Sequence, residues 1–219
     1  MPIRITPGLQ DLTTQLENLK EKVRAGLAPD AVADELQAAL DVARTIATHD
    51  DLTGALNRRG VVQKLDAELD RAQRTGHPFS MAVIAVDRFH DINAQHGARV
   101  GDDILRSLAQ SALGLFRSLD VLGRIGGHEF ALILPATWLD QSDKAIARLT
   151  GAVSTADWSG ILPALTVTFS AGLTTNAPGD TAEGMIRRAG EALAQAQAQG
   201  PGACVQLEQA LPDFDPDML

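Results

Sequence analysis

A chain of 219 residues, 45% apolar and 21% charged, is long enough for one ordinary domain plus an extension and apolar enough for a real core. With 19 Lys and Arg against 28 Asp and Glu, the net charge is −9, which argues against a broad basic face for nucleic acid but leaves room for a small phosphate site. The single Cys204 excludes an internal disulfide, the opening MPIRITPGLQ lacks a signal-peptide core, and the longest apolar runs are too short to cross a bilayer, so the expectation is a cytoplasmic protein without a membrane partner.

In chain order, Leu9, Leu12, Leu16, Leu19 and Val23 step by three and four and form one helical stripe. Gly26 reads as a helix C-cap and Asp30 as an N-cap. A second helical pattern runs through Val32, Leu36, Leu40, Ala43 and Ile46. These two helices either pack on the domain or on each other, or form a short dimerising stalk. Residues 60–74 read as a helix, and Phe79 to Val86 as a buried strand. Residues 102–116 read as a helix. Val121 to Ile125 and Glu129 to Leu134 read as strands joined at Gly126-Gly127, a hairpin signal in which both glycines take positive φ. A helix over residues 142–153, an alternating strand over 165–174, an Ala-rich helix over 181–199 and a short strand from Cys204 to Leu207 follow. The acidic, Pro-broken tail reads as frayed. Such an order gives an α+β domain over residues 49–208, with residues 1–48 as a helical extension and 209–219 as a tail. His90 and His96 read as surface loop residues, Trp138 and Trp158 as packing aromatics, and Cys204 as an inert core thiol.

Three segments, in order, carry a family resemblance. HDDLTGALNRR at residues 49–59 resembles the opening motif HDxLTGLxNRR of GGDEF domains. Phe89, Ile92-Asn93, Gly97 and Gly101-Asp102 resemble the family's FKxINDxYGHxxGD segment, and Gly126-Gly127-His128-Glu129-Phe130 stands at its signature hairpin. The resemblance implies a five-stranded mixed sheet wrapped by helices, and the chemistry of diguanylate cyclases, which join two GTP into cyclic di-GMP.

That chemistry needs Mg²⁺, and Mg²⁺ needs carboxylates. The family places them at the positions of Ala85 and His128 here. Ala85 offers no ligand, and imidazole suits Zn²⁺ or Cu²⁺ better than Mg²⁺. Residual Asp87 and Glu129 match the family's second strand-end Asp and fourth hairpin residue, and Asp87 also reads as a strand-end cap. The family's phosphate-gripping Lys and Arg fall at Gln197 and Pro201. The expectation is a chain without an intact catalytic set and without a cofactor, Mg²⁺ entering only if the chain is nevertheless an active cyclase.

Two binding sites survive in the resemblance. Asn93 and Asp102 match residues that hydrogen-bond guanine, with Leu52 and Leu105 as apolar walls and Gly126 and Gly127 alongside; the plainer reading is a loop cap and a helix N-cap. Arg117 and Asp120 stand at the register of the RxxD inhibitory site that binds cyclic di-GMP, and Arg148 at that of a further arginine. Arg suits guanine edges and phosphate, and Asp accepts from guanine donors. The plainer reading is an exposed ion pair of little worth. The sequence therefore suggests a silent domain acting as a cyclic di-GMP receptor or regulatory module. A functioning cyclase, or a GTP-binding or self-associating scaffold with a protein partner at the N-terminal helix, are the alternatives.

Overall fold

The computed structural model describes residues 9–26 and 29–209. Helix α1 (Leu9–Arg24) ends at Gly26, whose φ of 74° is the left-handed conformation of a C-cap. Helix α2 (Pro29–Thr48) starts on Pro29, so Asp30 sits in its first turn instead of capping it. The expected single stripe on α1 divides. Leu12 and Leu19 are buried against Ala39, Val32 and Val42 of α2, whereas Leu16 and Val23 are exposed. Packing of the two helices on each other consumes only two of the stripe's four described side chains. The side chain of Leu9 and residues 210–219, including most of the tail read as frayed, lie outside the described residues.

Strand β1 (Leu56–Asn57) leads directly into α3 (Arg58–Thr75). Asn57 caps α3 by accepting from the Gly60 amide at 3.0 Å, and its Nδ2 donates to the Ala47 and His49 carbonyls. Gly60 is required by proximity: a Cβ there would lie 2.5 Å from the Thr48 carbonyl oxygen. One asparagine and one glycine thus fasten the helical extension to the domain.

The sheet continues with β2 (Ser80–Val86), β3 (Val121–Arg124), β4 (Glu129–Leu134), β5 (Phe169–Thr175) and β6 (Cys204–Gln206), in the order β1-β3-β4-β2-β5-β6. The five strands implied by the resemblance are β2 to β6, and the two-residue β1 adds a short parallel edge on β3. Pairing of β5 with β6 is parallel and that of β2 with β4 and β5 antiparallel, which makes the sheet mixed. Every residue of β2 is buried, as its continuous apolar run requires in a strand covered on both faces. Alternate residues face opposite cores. Ala82, Ile84 and Val86 join the side covered by α5 (Ala98–Leu115) and α6 (Leu139–Thr155). Met81, Val83 and Ala85 join the side covered by α3 and α7 (Ala182–Gln199). Thr181 caps α7 by accepting from the Gly184 amide.

Several expectations change. A separate helix α4 (Phe89–His96) precedes α5, and Gly97, at φ 86°, breaks the two apart. Asn93 therefore sits in a helix instead of capping a loop, Asp102 lies inside α5 instead of at its N-cap, and His90 and His96 are helical. The strand expected from Leu165 begins only at Phe169. Neither Gly126 nor Gly127 takes a positive φ. The reason is loop length: Ile125 donates to the Glu129 carbonyl at 2.9 Å, leaving three residues between them, so the two-residue turn that demands left-handed glycines never forms. Trp158 is packed, donating from Nε1 to the Val153 carbonyl, but Trp138 is 60% exposed. Cys204 is exposed on the edge strand β6. Desolvation of its sulfur and then the Asp143 carboxylate at 3.8 Å push the thiol up to about 12, so it is inert as a thiol, though not as a core residue.

Candidate functional site

The end of β2 and the β3–β4 hairpin bring the cyclase positions together. Ala85 pairs across the ladder with Glu129, and the Val86 amide faces the His128 carbonyl at 3.5 Å. The hairpin is tethered from below. Arg124 donates to the Gly127 carbonyl at 2.7 and 3.2 Å and pairs with both oxygens of Asp50 at 3.1 and 3.2 Å. Asp50 also receives the Thr53 amide and hydroxyl. This Asp50–Arg124 link was not singled out from the sequence, although Asp50 stands inside the opening motif and Arg124 two residues before the hairpin glycines.

The side chains at this edge offer few oxygen ligands. Ala85 is fully buried and carries no donor. The half-buried His128 ring stacks on Phe89, with centroids 5.3 Å apart and planes 12° apart, and meets His90 edge-on at 5.4 Å. Desolvation holds the His128 imidazole below its ordinary value of 6.5, with Glu129 opposing and His90 adding to that shift. Both oxygens of Asp87 are engaged. Oδ1 accepts from Ser170 Oγ at 2.6 Å, and Oδ2 from Thr168 Oγ1 at 2.7 Å and the Gly202 amide at 2.8 Å. The carboxylate thus ties together the end of β2, the start of β5 and the turn before β6. Glu129 folds back over Gly126, where an added Cβ would meet its Oε2 at 2.8 Å. One free carboxylate, a stacked imidazole and an alanine do not fit a hard cation that demands oxygen ligands in near-octahedral geometry. Among the described residues no group of three or more His, Cys, Asp or Glu side chains is arranged to hold a metal. Gln197 and Pro201 are both exposed, and neither carries a charge.

The guanine-matching residues lie on the adjoining α4 and α5. The side-chain oxygen Oδ1 of Asn93 is buried without a partner and presses on Gly101, the neighbour of Asp102; a Cβ on Gly101 would sit 2.0 Å from it. Glycine is the residue that lets the two helices meet there. Leu105 is 1% exposed and Leu52 half-buried, both against the same core cluster. Gly126 and Gly127 stand on the hairpin, away from these two helices in sequence but at the same end of β2 as Phe89.

The RxxD residues do converge. Arg117, Asp120 and Arg148 line one cavity of about 300 Å³, together with Thr137, Gln141 and Lys144. Asp120 accepts from the Arg117 amide at 2.8 Å, and its own amide donates to the Arg117 carbonyl at 3.0 Å. This closes the turn that carries Arg117 into the cavity mouth, and it replaces the exposed ion pair considered above. None of the Arg117, Lys144 and Arg148 side chains joins an ion pair or side-chain hydrogen bond within the described residues. Lys144 was missed in the sequence; its position four residues before Arg148 on a helix was the available signal.

The family described as diguanylate cyclase, GGDEF domain, matches residues 47–202. The chain belongs to this GGDEF family. Response regulator PleD of Caulobacter vibrioides is 34% identical over 192 residues, covering 86% of this chain and 42% of PleD, so the chain spans about two-fifths of that relative's length. The coiled coil and GGDEF domain of DgcB from Caulobacter crescentus, solved in complex with c-di-GMP, superposes with a TM-score of 0.77 at 25% identity, covering 85% of this chain and 100% of that one. The diguanylate cyclase SiaD of Pseudomonas aeruginosa, solved with its activator SiaC, gives a TM-score of 0.71 at 30% identity over 90% of this chain and 75% of that one. This GGDEF domain is thus related to diguanylate cyclases and to domains seen with c-di-GMP. No described helix is long and apolar enough to cross a membrane.

Proposed function

We propose that this GGDEF domain makes no cyclic di-GMP and instead binds it, at the cavity of Arg117, Asp120 and Arg148, to regulate a partner. One observation supports the reading above others. The cation-lined cavity is assembled and its arginines are unpaired, while the cyclase edge carries Ala85 and a stacked His128. In the ligand, the Arg117 guanidinium reads a guanine edge or a phosphate, Arg148 adds charge, and the remaining Asp120 oxygen accepts from a guanine. The cavity and the cyclase edge share no residue, so loss of one leaves the other whole. Any partner is expected at the helical extension, where Leu16, Val23, Leu36 and Leu40 are exposed. The test has two arms. Incubation with GTP and Mg²⁺ should yield no cyclic di-GMP by chromatography, and His128→Glu alone should not restore it, since Ala85 still leaves the metal short of a ligand. Cyclic di-GMP at about a hundred times its Kd should stabilise the fold by about 2.7 kcal/mol in thermal unfolding. Turnover in the first arm, or no shift in the second, overturns the proposal.

A further inference from the structure

Beside Arg148, helix α6 presents one more cation, not yet given a role, to the same cavity. Lys144 lines it together with Arg148, four residues on, and Arg117. Its lack of a partner is unexpected on local grounds. Asp140 stands four residues earlier on the same helix, the arrangement in which an acidic residue N-terminal to a lysine pairs well. That pair is not formed. Lys144 instead shares the cavity with a like-charged Arg148 one turn away, an arrangement that opposes the helix when nothing anionic lies between them. The buried face of α6, through Leu139, Ile146, Leu149 and Val153, is fixed by the core and sets which side the remaining residues show.

The charge count is specific. Arg117, Lys144 and Arg148 supply three positive charges and Asp120 one negative, so the lining residues carry +2. Without Lys144 the cavity would carry +1. Cyclic di-GMP is a dianion with one charge on each of two phosphodiesters. The arginine forks suit guanine edges as well as phosphates, whereas an ammonium is a compact point charge with no planar match to a base. We infer that Lys144 is a phosphate ligand of this cavity, completing the charge needed for a doubly charged dinucleotide. The inference rests on the cavity being the cyclic di-GMP site.

Calorimetric titration with cyclic di-GMP tests it in the full chain. Lys144→Gln should weaken binding about tenfold, equivalent to 1.4 kcal/mol, and make the Kd less sensitive to salt. Lys144→Arg should retain most of the affinity. Asp140→Asn, outside the cavity lining, should leave the Kd unchanged. The unliganded melting temperature of Lys144→Gln should be equal to or above that of the wild type, since a like-charged contact is removed; a purely structural lysine would lower it. If Lys144→Gln binds as the wild type does while Arg117→Ala is weakened, this inference fails and the receptor reading stands. If the wild type itself does not bind, both fall.

Discussion

Asp87 is the residue whose role separates a structural account of the cyclase edge from a catalytic one. Substituting alanine removes the acceptor for three donors: Ser170 Oγ, Thr168 Oγ1 and the Gly202 amide. Ser170 is 0% exposed, so its hydroxyl is stranded without water. A stranded buried donor costs about 1–3 kcal/mol. Thr168 and Gly202 are more accessible and regain water, so each loss is about 0.5 kcal/mol. Asp87→Ala should therefore destabilise the protein by about 2–4 kcal/mol, and Asp87→Asn, which keeps one acceptor, by about half of that. For a chain of this size that is a fall in melting temperature of about 5–12 °C. Urea unfolding measures it, with the m-value checked for constancy. A loss below about 1 kcal/mol at unchanged m would show that the carboxylate is not the knot between β2, β5 and the β6 turn, and would return Asp87 to the pool of available ligands.

Three other outcomes follow from the same structure. Arg188 is buried, with its side chain 10% exposed and that of Asp180 4%, and donates bidentately to Asp180 at 2.9 and 2.7 Å; Arg188→Met should cost about 3–5 kcal/mol in urea unfolding by leaving the carboxylate unpaired. Because the folded state depresses the His128 pKa, the unfolded state binds the extra proton first, so His128's stabilising contribution is complete above 6.5 and is lost as pH falls through its folded value. Unfolding at a series of pH values should show His128→Gln losing less stability than the wild type below ~6.5, and identical slopes would refute the assignment. Leu19→Glu should lower the melting temperature by burying a charge against α2, whereas Leu16→Glu, at an exposed site, should leave it unchanged and alter only the mass seen by light scattering if that face associates.

Much of the fold was legible because its signals are local and strong. The all-apolar run of β2, the 3.6-residue periodicity of α3 and α7, and the punctuating glycines each specify one conformation. What was not legible depended on distance. The α1 stripe is continuous in sequence, yet α2 is only wide enough to cover Leu12 and Leu19. Gly126-Gly127 looks like a two-residue turn, but the Ile125–Glu129 pairing lengthens the loop, and that register is set by the neighbouring strands. At the site, the motifs gave the positions of Ala85, His128, Arg117 and Asp120. They could not give the Thr168, Ser170 and Gly202 donors on Asp87, or the unmade Asp140–Lys144 pair. Those arise from segments that meet only after folding.

The measurement that bears most directly on the account is an equilibrium titration of the wild type and Arg117→Ala with cyclic di-GMP at matched salt. A bidentate arginine contact worth roughly 1–3 kcal/mol predicts wild-type binding that weakens about tenfold to a hundredfold in the variant, with the melting temperature of the unliganded variant unchanged because Arg117 makes no side-chain hydrogen bond or ion pair. Wild-type protein that shows no heat of binding with ligand in the tens of micromolar, or a variant that binds as tightly as the wild type, would contradict it.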